Sequence, residues 1–230
     1  MSISIDIIGD LYLTPDDKFS WEGKATSLYC IITGNISDDM PVVAKTLIEL
    51  ASHYQGIFYV SGPLEYSRFD SYVEATNTLE YICQKVGRVE YLHQQVVVLN
   101  NVAILGSNGW YNAKPSDNLF KDAEALQGHY DDVAYLRNSI TKLQRHLDVK
   151  HIIIATATVP SDELYFGEVP DITGNYIPLN LILQADTEHK VKYWVYGSQE
   201  KIVDTTINNV NYISNGKFNK SPYWAKILDV

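Results

Sequence analysis

The segment Ile57-Phe58-Tyr59-Val60-Ser61-Gly62-Pro63-Leu64-Glu65-Tyr66-Ser67 decides the fold. Ile57 to Val60 is a short run of β-branched and aromatic residues closed by a glycine turn, which predicts a buried strand. The loop at the carboxyl end of such a strand is where α/β proteins place their chemistry. Here that loop offers Pro63 and Leu64, whose side chains can neither bind a metal nor move a proton.

The same strand-then-loop unit recurs on the N-terminal side. Ser2 to Ile8 and Tyr29 to Thr33 are apolar runs closed by Gly9 and Gly34. Between the second and third runs, Asp38-Asp39-Met40-Pro41 is a helix-start signal, followed by Val43, Leu47, Leu50 and Tyr54 at helical spacing. Strand, helix and strand make a βαβ unit with parallel pairing. A second helix is expected over Asp70 to Val86, with Val73, Leu79, Ile82 and Val86 on its apolar face and Gly87 beyond its end.

The period then changes. Val89 to His93, Val96 to Leu99 and Val102 to Leu105 read as three strands of a meander or hairpin pair. An aromatic loop insertion is expected over 106–130, carrying Trp110, Tyr111, Phe120 and Tyr130. A helix over Asp131 to Leu147 follows, with Val133, Leu136, Ile140, Leu143 and Leu147 as its stripe. His151 to Ala157 and Val191 to Tyr196 read as strands, and Leu179 to Leu183 as a short helix. Lys201 to Ile207 and Asn209 to Ser214 read as a hairpin around Asn208, followed by a tail containing Trp224. There is no internal repeat or linker, so a single domain over 1–230 is expected.

Composition narrows the function classes. The 230 residues are 46% apolar and 20% charged, ordinary values for a globular chain with a sizeable core. Eighteen basic against 28 acidic residues leave a net charge of −10, with no Lys/Arg cluster, which argues against direct nucleic-acid binding and against anionic membrane surfaces. Cys30 and Cys83 are the only cysteines, so no disulfide framework or paired-Cys metal motif is expected. Met1 runs at once into strand-like sequence, and no apolar run approaches the roughly 20 residues of a membrane span, so a cytoplasmic location is expected. His53, His129, His146 and His189 read as surface residues of helices or loops, and His93 and His151 as strand-edge residues. Seventeen tyrosines are an excess that fits either a Tyr-edged core or a contact surface.

The order of the strand-end loops resembles the calcineurin-like metallophosphoesterase family, whose two metal ions sit on loops carrying, in order, D-x-H, G-D, G-N-H, T-H and G-H-x-H. Gly9-Asp10-Leu11-Tyr12-Leu13 resembles the first loop, Thr33-Gly34-Asn35-Ile36-Ser37-Asp38 the second and Ser61-Gly62-Pro63-Leu64-Glu65-Tyr66 the third. Val102 to Ser107 with Trp110 is similar to the strand before the family's G-x-T-L-W segment. Ile154-Ala155-Thr156-Ala157-Thr158-Val159-Pro160-Ser161 is similar to its fourth loop, and Trp194-Val195-Tyr196-Gly197-Ser198-Gln199-Glu200 to its fifth. Asn215-Gly216 resembles the closing turn. The resemblance runs over nearly the whole chain and implies a four-layer α-β-β-α sandwich, two mixed β-sheets flanked by helices.

Carried over position by position, the resemblance keeps the frame and loses most of the ligands. Asp10 retains the first aspartate, while Tyr12 stands at the first histidine and Asn35 at the bridging aspartate. Pro63 and Leu64 replace the asparagine and the catalytic histidine, Ala157 the histidine of the fourth loop, and Ser198 and Glu200 the last two histidines. Two divalent metals need several carboxylate or imidazole donors in fixed geometry, and this set lacks them. Asp10, Asn35 and Glu200, with Tyr12 near, form an oxygen set lean even for a single Mg²⁺ or Ca²⁺ ion. Without a bridging carboxylate and a leaving-group acid the family's hydrolysis has no parts. The resemblance therefore implies a pseudoenzyme that serves as a protein-binding or assembly component, with no cofactor, and with residual single-ion phosphoesterase or nucleotide-binding activity as the alternative. Degenerate members such as the retromer subunit of this fold are similar in having become assembly parts. Protein partners or self-association are expected, with Trp110, Tyr111, Phe120, Tyr130, Tyr165, Phe166 and Trp224 as candidate contacts. Pro63 fixes its own backbone and removes a donor, so the third loop can hold its shape without an ion.

Overall fold

The computed structural model describes residues 3–109, 119–165, 179–199, 201–216 and 226–230. The first half of the chain builds one sheet. Strands β1 (Ser4–Ile8), β2 (Tyr29–Thr33), β3 (Gly56–Val60) and β4 (Val89–Tyr91) lie side by side in that order, all parallel. Helix α1 (Met40–Ala51) connects β2 to β3, and α2 (Pro63–Tyr66) and α3 (Tyr72–Val86) connect β3 to β4. The Asp39 carboxylate accepts the Val42 N–H at 3.1 Å and caps α1. A cap of this kind contributes about 1 kcal/mol.

The second sheet is mixed, in the order β5 (Gln95–Leu99), β6 (Val102–Ser107), β7 (His151–Thr156), β8 (Val191–Tyr196), β10 (Val210–Asn215) and β9 (Ile202–Ile207). Its four central strands are parallel, and the antiparallel hairpins β5–β6 and β9–β10 close its two ends. Asn208 and Asn209 both adopt positive φ, the backbone that a two-residue hairpin with a primed turn demands. Helices α4 (Leu119–Gln144) and α5 (Leu179–Leu183) cover this sheet on its outer face.

Alternation along the strands sorts the apolar residues into three layers of core. Ile8, Ile32, Ile57 and Tyr59 meet α1 and α3, while Ile5, Ile7, Ile31, Phe58 and Val60 face the other sheet and meet Val102, Ile104, Ile153, Ala155, Val195 and Ile213. Leu105, Ile152, Ile154 and Trp194 pack under Leu136, Ile140 and Leu143 of α4. Each of the fully buried aliphatic side chains contributes about 1.5–3 kcal/mol. The architecture is the α-β-β-α sandwich expected from the sequence.

Several elements depart from the sequence-based expectations. The predicted meander is divided between the sheets: β4 ends the first, and the chain crosses through Leu92, His93 and Gln94 to begin the second at β5. Leu92 is buried between the sheets and Gln94 turns the chain at positive φ. Helix α4 begins at Leu119 rather than Asp131, so Phe120 and Tyr130 sit on a helix and not in a loop. His129, read as a surface residue, is buried on that helix. Val73 and Leu147, assigned to apolar stripes, are exposed, and the buried face of α3 is Ala75, Leu79 and Cys83. The C-terminal tail contributes a strand, β11 (Lys226–Asp229), paired antiparallel with the outer edge of β1. The segment 63–66 is a turn of helix rather than a plain loop. Of the tyrosines, Tyr54, Tyr59, Tyr66, Tyr91, Tyr196 and Tyr212 are buried. Among the described residues no helix is long and apolar enough to cross a membrane.

Candidate functional site

The loops after β1, β2, β3, β7 and β8 meet at one end of the sandwich, where the carboxyl ends of strands from both sheets converge. The first two are joined by their backbones. The N–H groups of Asp10, Tyr12 and Leu13 donate to the carbonyls of Gly34, Asn35 and Ile36 at 3.1, 2.9 and 2.7 Å. Asp10, Tyr12, Gly34, Asn35 and Ser198 all take positive φ, so the turns sit in a backbone region that side chains other than Asn and Asp rarely adopt. Gly34 and Gly62 are in backbone contact across the second and third loops. A Cβ on Gly34 would lie 2.6 Å from the Gly62 nitrogen, and one on Gly62 2.6 Å from Asn35 Oδ1.

Asp10 and Asn35 form the centre of this cluster. Asn35 Nδ2 donates to Asp10 Oδ1 at 2.7 Å and to Ser198 Oγ at 3.1 Å, and Asn35 Oδ1 accepts the Leu64 N–H at 3.1 Å. Asp10 also accepts the N–H groups of Ser198 at 2.9 Å and Gln199 at 3.1 Å. Ser198 Oγ donates to the Ala157 carbonyl at 2.8 Å. Complete burial pushes the Asp10 carboxyl up to about 6, against the opposing pull of its Asn35, Gln199 and Ser198 donors. The Tyr12 backbone is tied to the second loop, and the residue is 40% exposed.

The loop cluster holds a second buried carboxylate, which the sequence pattern did not single out. Glu65, on α2, is fully buried and accepts three backbone N–H groups, from Ile36 at 2.6 Å, Gly62 at 2.8 Å and Asn35 at 3.1 Å. It clips the second loop to the third. Burial pushes its carboxyl up to about 7, with the backbone donors opposing. The spacing Gly62-x-x-Glu65 was the available signal, because an acid at the third helical position reaches back to the N-cap N–H.

Beside this lies a hydroxyl cluster, also missed. Ser61 Oγ is within 3.0 Å of Tyr66 Oη, 2.8 Å of Tyr91 Oη and 3.3 Å of Asn108 Nδ2, all buried. Tyr66 Oη and Tyr91 Oη are 3.0 Å apart.

The residues singled out in the sequence thus fall into three groups. Asp10, Asn35 and Ser198 are in direct contact, and Leu64 and Ala157 join them through backbone atoms. Pro63 occupies the first position of α2, where its missing N–H costs nothing. Glu200, Trp110, Tyr111, Phe166 and Trp224 lie outside the described residues. Phe120 and Tyr130 are exposed on α4, and Tyr165 is partly buried beside the core under that helix. Among the described residues no three His, Cys, Asp or Glu side chains gather as a metal site would require.

No family model and no curated protein matches the chain. Solved structures do. The chain is similar to the phosphopantetheinyl hydrolase PptH of Mycobacterium tuberculosis, with a TM-score of 0.69 and 12% identity over 94% of this chain and 90% of that one. It is similar to a structure assigned to a 5'-nucleotidase of Staphylococcus aureus, with a TM-score of 0.56 and 13% identity, and spans 49% of that longer chain. GAP50, the anchor in the inner membrane complex of Plasmodium, is similar at a TM-score of 0.56 and 13% identity over 71% of its length. At these identities the likeness is one of fold, and the fold is metallophosphoesterase-like.

That fold raises the question of a dinuclear metal centre, and the donor chemistry of the described residues does not fit one. The amide presents its NH₂ to Asp10, and an NH₂ group has no lone pair for a cation. Its oxygen is taken by Leu64 N–H, and the Asp10 carboxylate already accepts three N–H donors. Pro63, Leu64 and Ala157 bring no side-chain donor at all.

Proposed function

We infer that this chain is a catalytically inactive member of the metallophosphoesterase fold, a pseudoenzyme that acts as a protein-binding or assembly component. The observation that carries this reading is the Asn35 amide, whose Nδ2 lies 2.7 Å from Asp10 and 3.1 Å from Ser198 and links loops of both sheets. A neutral hydrogen-bond donor there performs by itself the cross-linking that a cation between carboxylates performs in a metal site. The loops keep their shape through backbone pairing, Glu65 and this amide, so the frame persists without the reactive groups. Leu64, which stands at the position of the family's catalytic histidine, has no proton to give a leaving group. A fold relative that serves as an anchor, GAP50, supports an assembly role.

Under this reading the chain binds no divalent ion and meets its partners through exposed apolar surface, with Phe120, Leu126 and Tyr130 of α4 as candidate contacts. The test is turnover of a generic phosphodiester in Mn²⁺, Mg²⁺ or Ca²⁺, run beside affinity capture with Tyr130→Ala as the control bait. No turnover above a metal-free blank, with a captured partner lost in the variant, is the expected result. Metal-dependent turnover abolished by Asp10→Ala would replace this reading with a residual single-ion phosphoesterase.

A further inference from the structure

The sheet edges of this protein are not equally protected. An edge strand exposes unpaired N–H and C=O groups, and proteins blunt such edges with charges, prolines or bulges. Edge strand β4 carries an exposed Glu90, β9 an exposed Asp204, and β11 both Lys226 and Asp229. Edge strand β5, Gln95-Val96-Val97-Val98-Leu99, carries no charge and no proline, and its pairing with β6 is regular.

The register of the β5–β6 hairpin fixes which backbone groups are free. The two-residue turn Asn100-Asn101 makes Leu99 and Val102 a hydrogen-bonded pair, so Leu99, Val97 and Gln95 point their polar groups toward β6. The N–H and C=O groups of Val96 and Val98 point the other way, and among the described residues they meet no backbone partner. The side chains of the same two residues are 37% and 52% exposed, whereas Val97 and Leu99 pack against the core between the sheets.

This edge is complementary to itself. An antiparallel copy related by a two-fold axis through Val97 places Val96 opposite Val98 of the other copy and Gln95 opposite Leu99. Val96 and Val98 would then exchange N–H···O=C bonds with their opposite numbers, and Val97 would meet Val97 as a non-hydrogen-bonded pair. The pairing brings four exposed valines onto one face. The strand is flanked by the uncharged Gln94 and Asn100, so the chain's net charge of −10 does not stand at the seam.

We propose that β5 is a homodimer interface: two copies join by antiparallel β5–β5 pairing centred on Val97, making one continuous sheet of twelve strands from two of six. The occupant is a second copy of this chain. This interface stands on the sheet edge and is independent of whether the loop site is inactive.

Sedimentation equilibrium over about 1–100 µM, the range suited to a small interface, tests it. Wild type should show a closed monomer–dimer equilibrium. Val98→Lys, which sets like charges near the axis on an exposed position and leaves the β6 pairing intact, should weaken dimerisation about tenfold or more. Val97→Cys supplies the register. In the proposed pairing its thiols face each other at a distance a disulfide spans, and mild oxidation should yield a covalent dimer, while buried Cys30 and Cys83 give no background. A chain that stays monomeric throughout with no Val97→Cys cross-link overturns the proposal. So does a dimer insensitive to Val98→Lys, open-ended association, or capture of a different protein by this strand while the chain alone remains monomeric.

Discussion

Asn35 and Glu65 are the residues on which the loop cluster turns, and each makes a separable prediction. Asn35→Asp would set a second carboxylate 2.7 Å from Asp10 in place of a donor. Two buried carboxylates at that distance cannot both ionise, so the variant should lose roughly 2–4 kcal/mol at pH 7.5 and recover part of it at pH 5, by urea denaturation. Glu65→Gln addresses the loop cluster's other buried acid. The Glu65 carboxyl is raised from 4.5 to about 7 in the folded chain, so its contribution is fully present below pH 4.5 and is lost as pH rises through 7. The gap between wild type and Glu65→Gln should therefore be largest near pH 4.5 and narrow by on the order of 1–3 kcal/mol by pH 8. A gap that widens with pH would mean that the three backbone donors, and not burial, decide the carboxyl's state. Gly62→Ala should cost about 1–3 kcal/mol, because its new Cβ falls on Asn35. Asp10 and Asn35 were legible in the sequence because they follow Gly at strand ends, whereas Glu65 is no ligand position of the third loop and was not singled out. The spacing Gly62-x-x-Glu65 signals its bond to the Gly62 N–H, but its bonds to the Asn35 and Ile36 N–H groups lie in another loop, which no local spacing reveals.

At the scale of elements, legibility followed hydrophobic period. Helix α1 was readable from its cap, its proline and the apolar positions Val43, Leu47 and Leu50, and the β9–β10 hairpin from its Asn-rich turn. The first half of α4 was not readable because its buried positions are Ala125, His129 and Asp132, which are small or polar. Their burial is decided by tertiary contacts: Asp132 accepts the Gly109 N–H at 2.8 Å and Gln94 Nε2 at 3.0 Å, tying the helix to the end of β6 and to the crossing between sheets. Asp132→Ala should leave Gly109 N–H unpaired and cost roughly 1–3 kcal/mol in urea denaturation, with the near-ultraviolet spectrum of the aromatic residues altered. An effect within about 0.5 kcal/mol, the range of an ordinary surface substitution, would show that α4 is held by its apolar half alone. The division of the predicted meander has a similar cause. Three β-like runs with short polar separators look alike in sequence, and only the burial of Leu92 between the sheets sends β4 and β5 to different ones.

At the scale of the molecule, the βαβ unit gave only parallel pairing in the first half of the chain, and it was the resemblance of the strand-end loop order to a known family that implied the four-layer sandwich. The C-terminal strand β11 was invisible because its partner, β1, lies more than 200 residues earlier in the chain and its own pattern is too short to show a period. The two raised carboxyls give the whole protein a pH signature. Asp10 and Glu65 both contribute most below their unfolded values and lose that contribution as pH rises through about 6 and about 7. The thermal midpoint should therefore decline between pH 5 and pH 8, and the decline should flatten in the Glu65→Gln variant. Under the proposed function, the Asn35 amide stands in for a metal ion between the loops. Calorimetric titration of the chain with Mn²⁺ at pH 7.5 reads this out: no saturable heat is expected up to millimolar ion in wild type or Asp10→Ala, and micromolar binding lost in Asp10→Ala would show instead that the loops hold an ion.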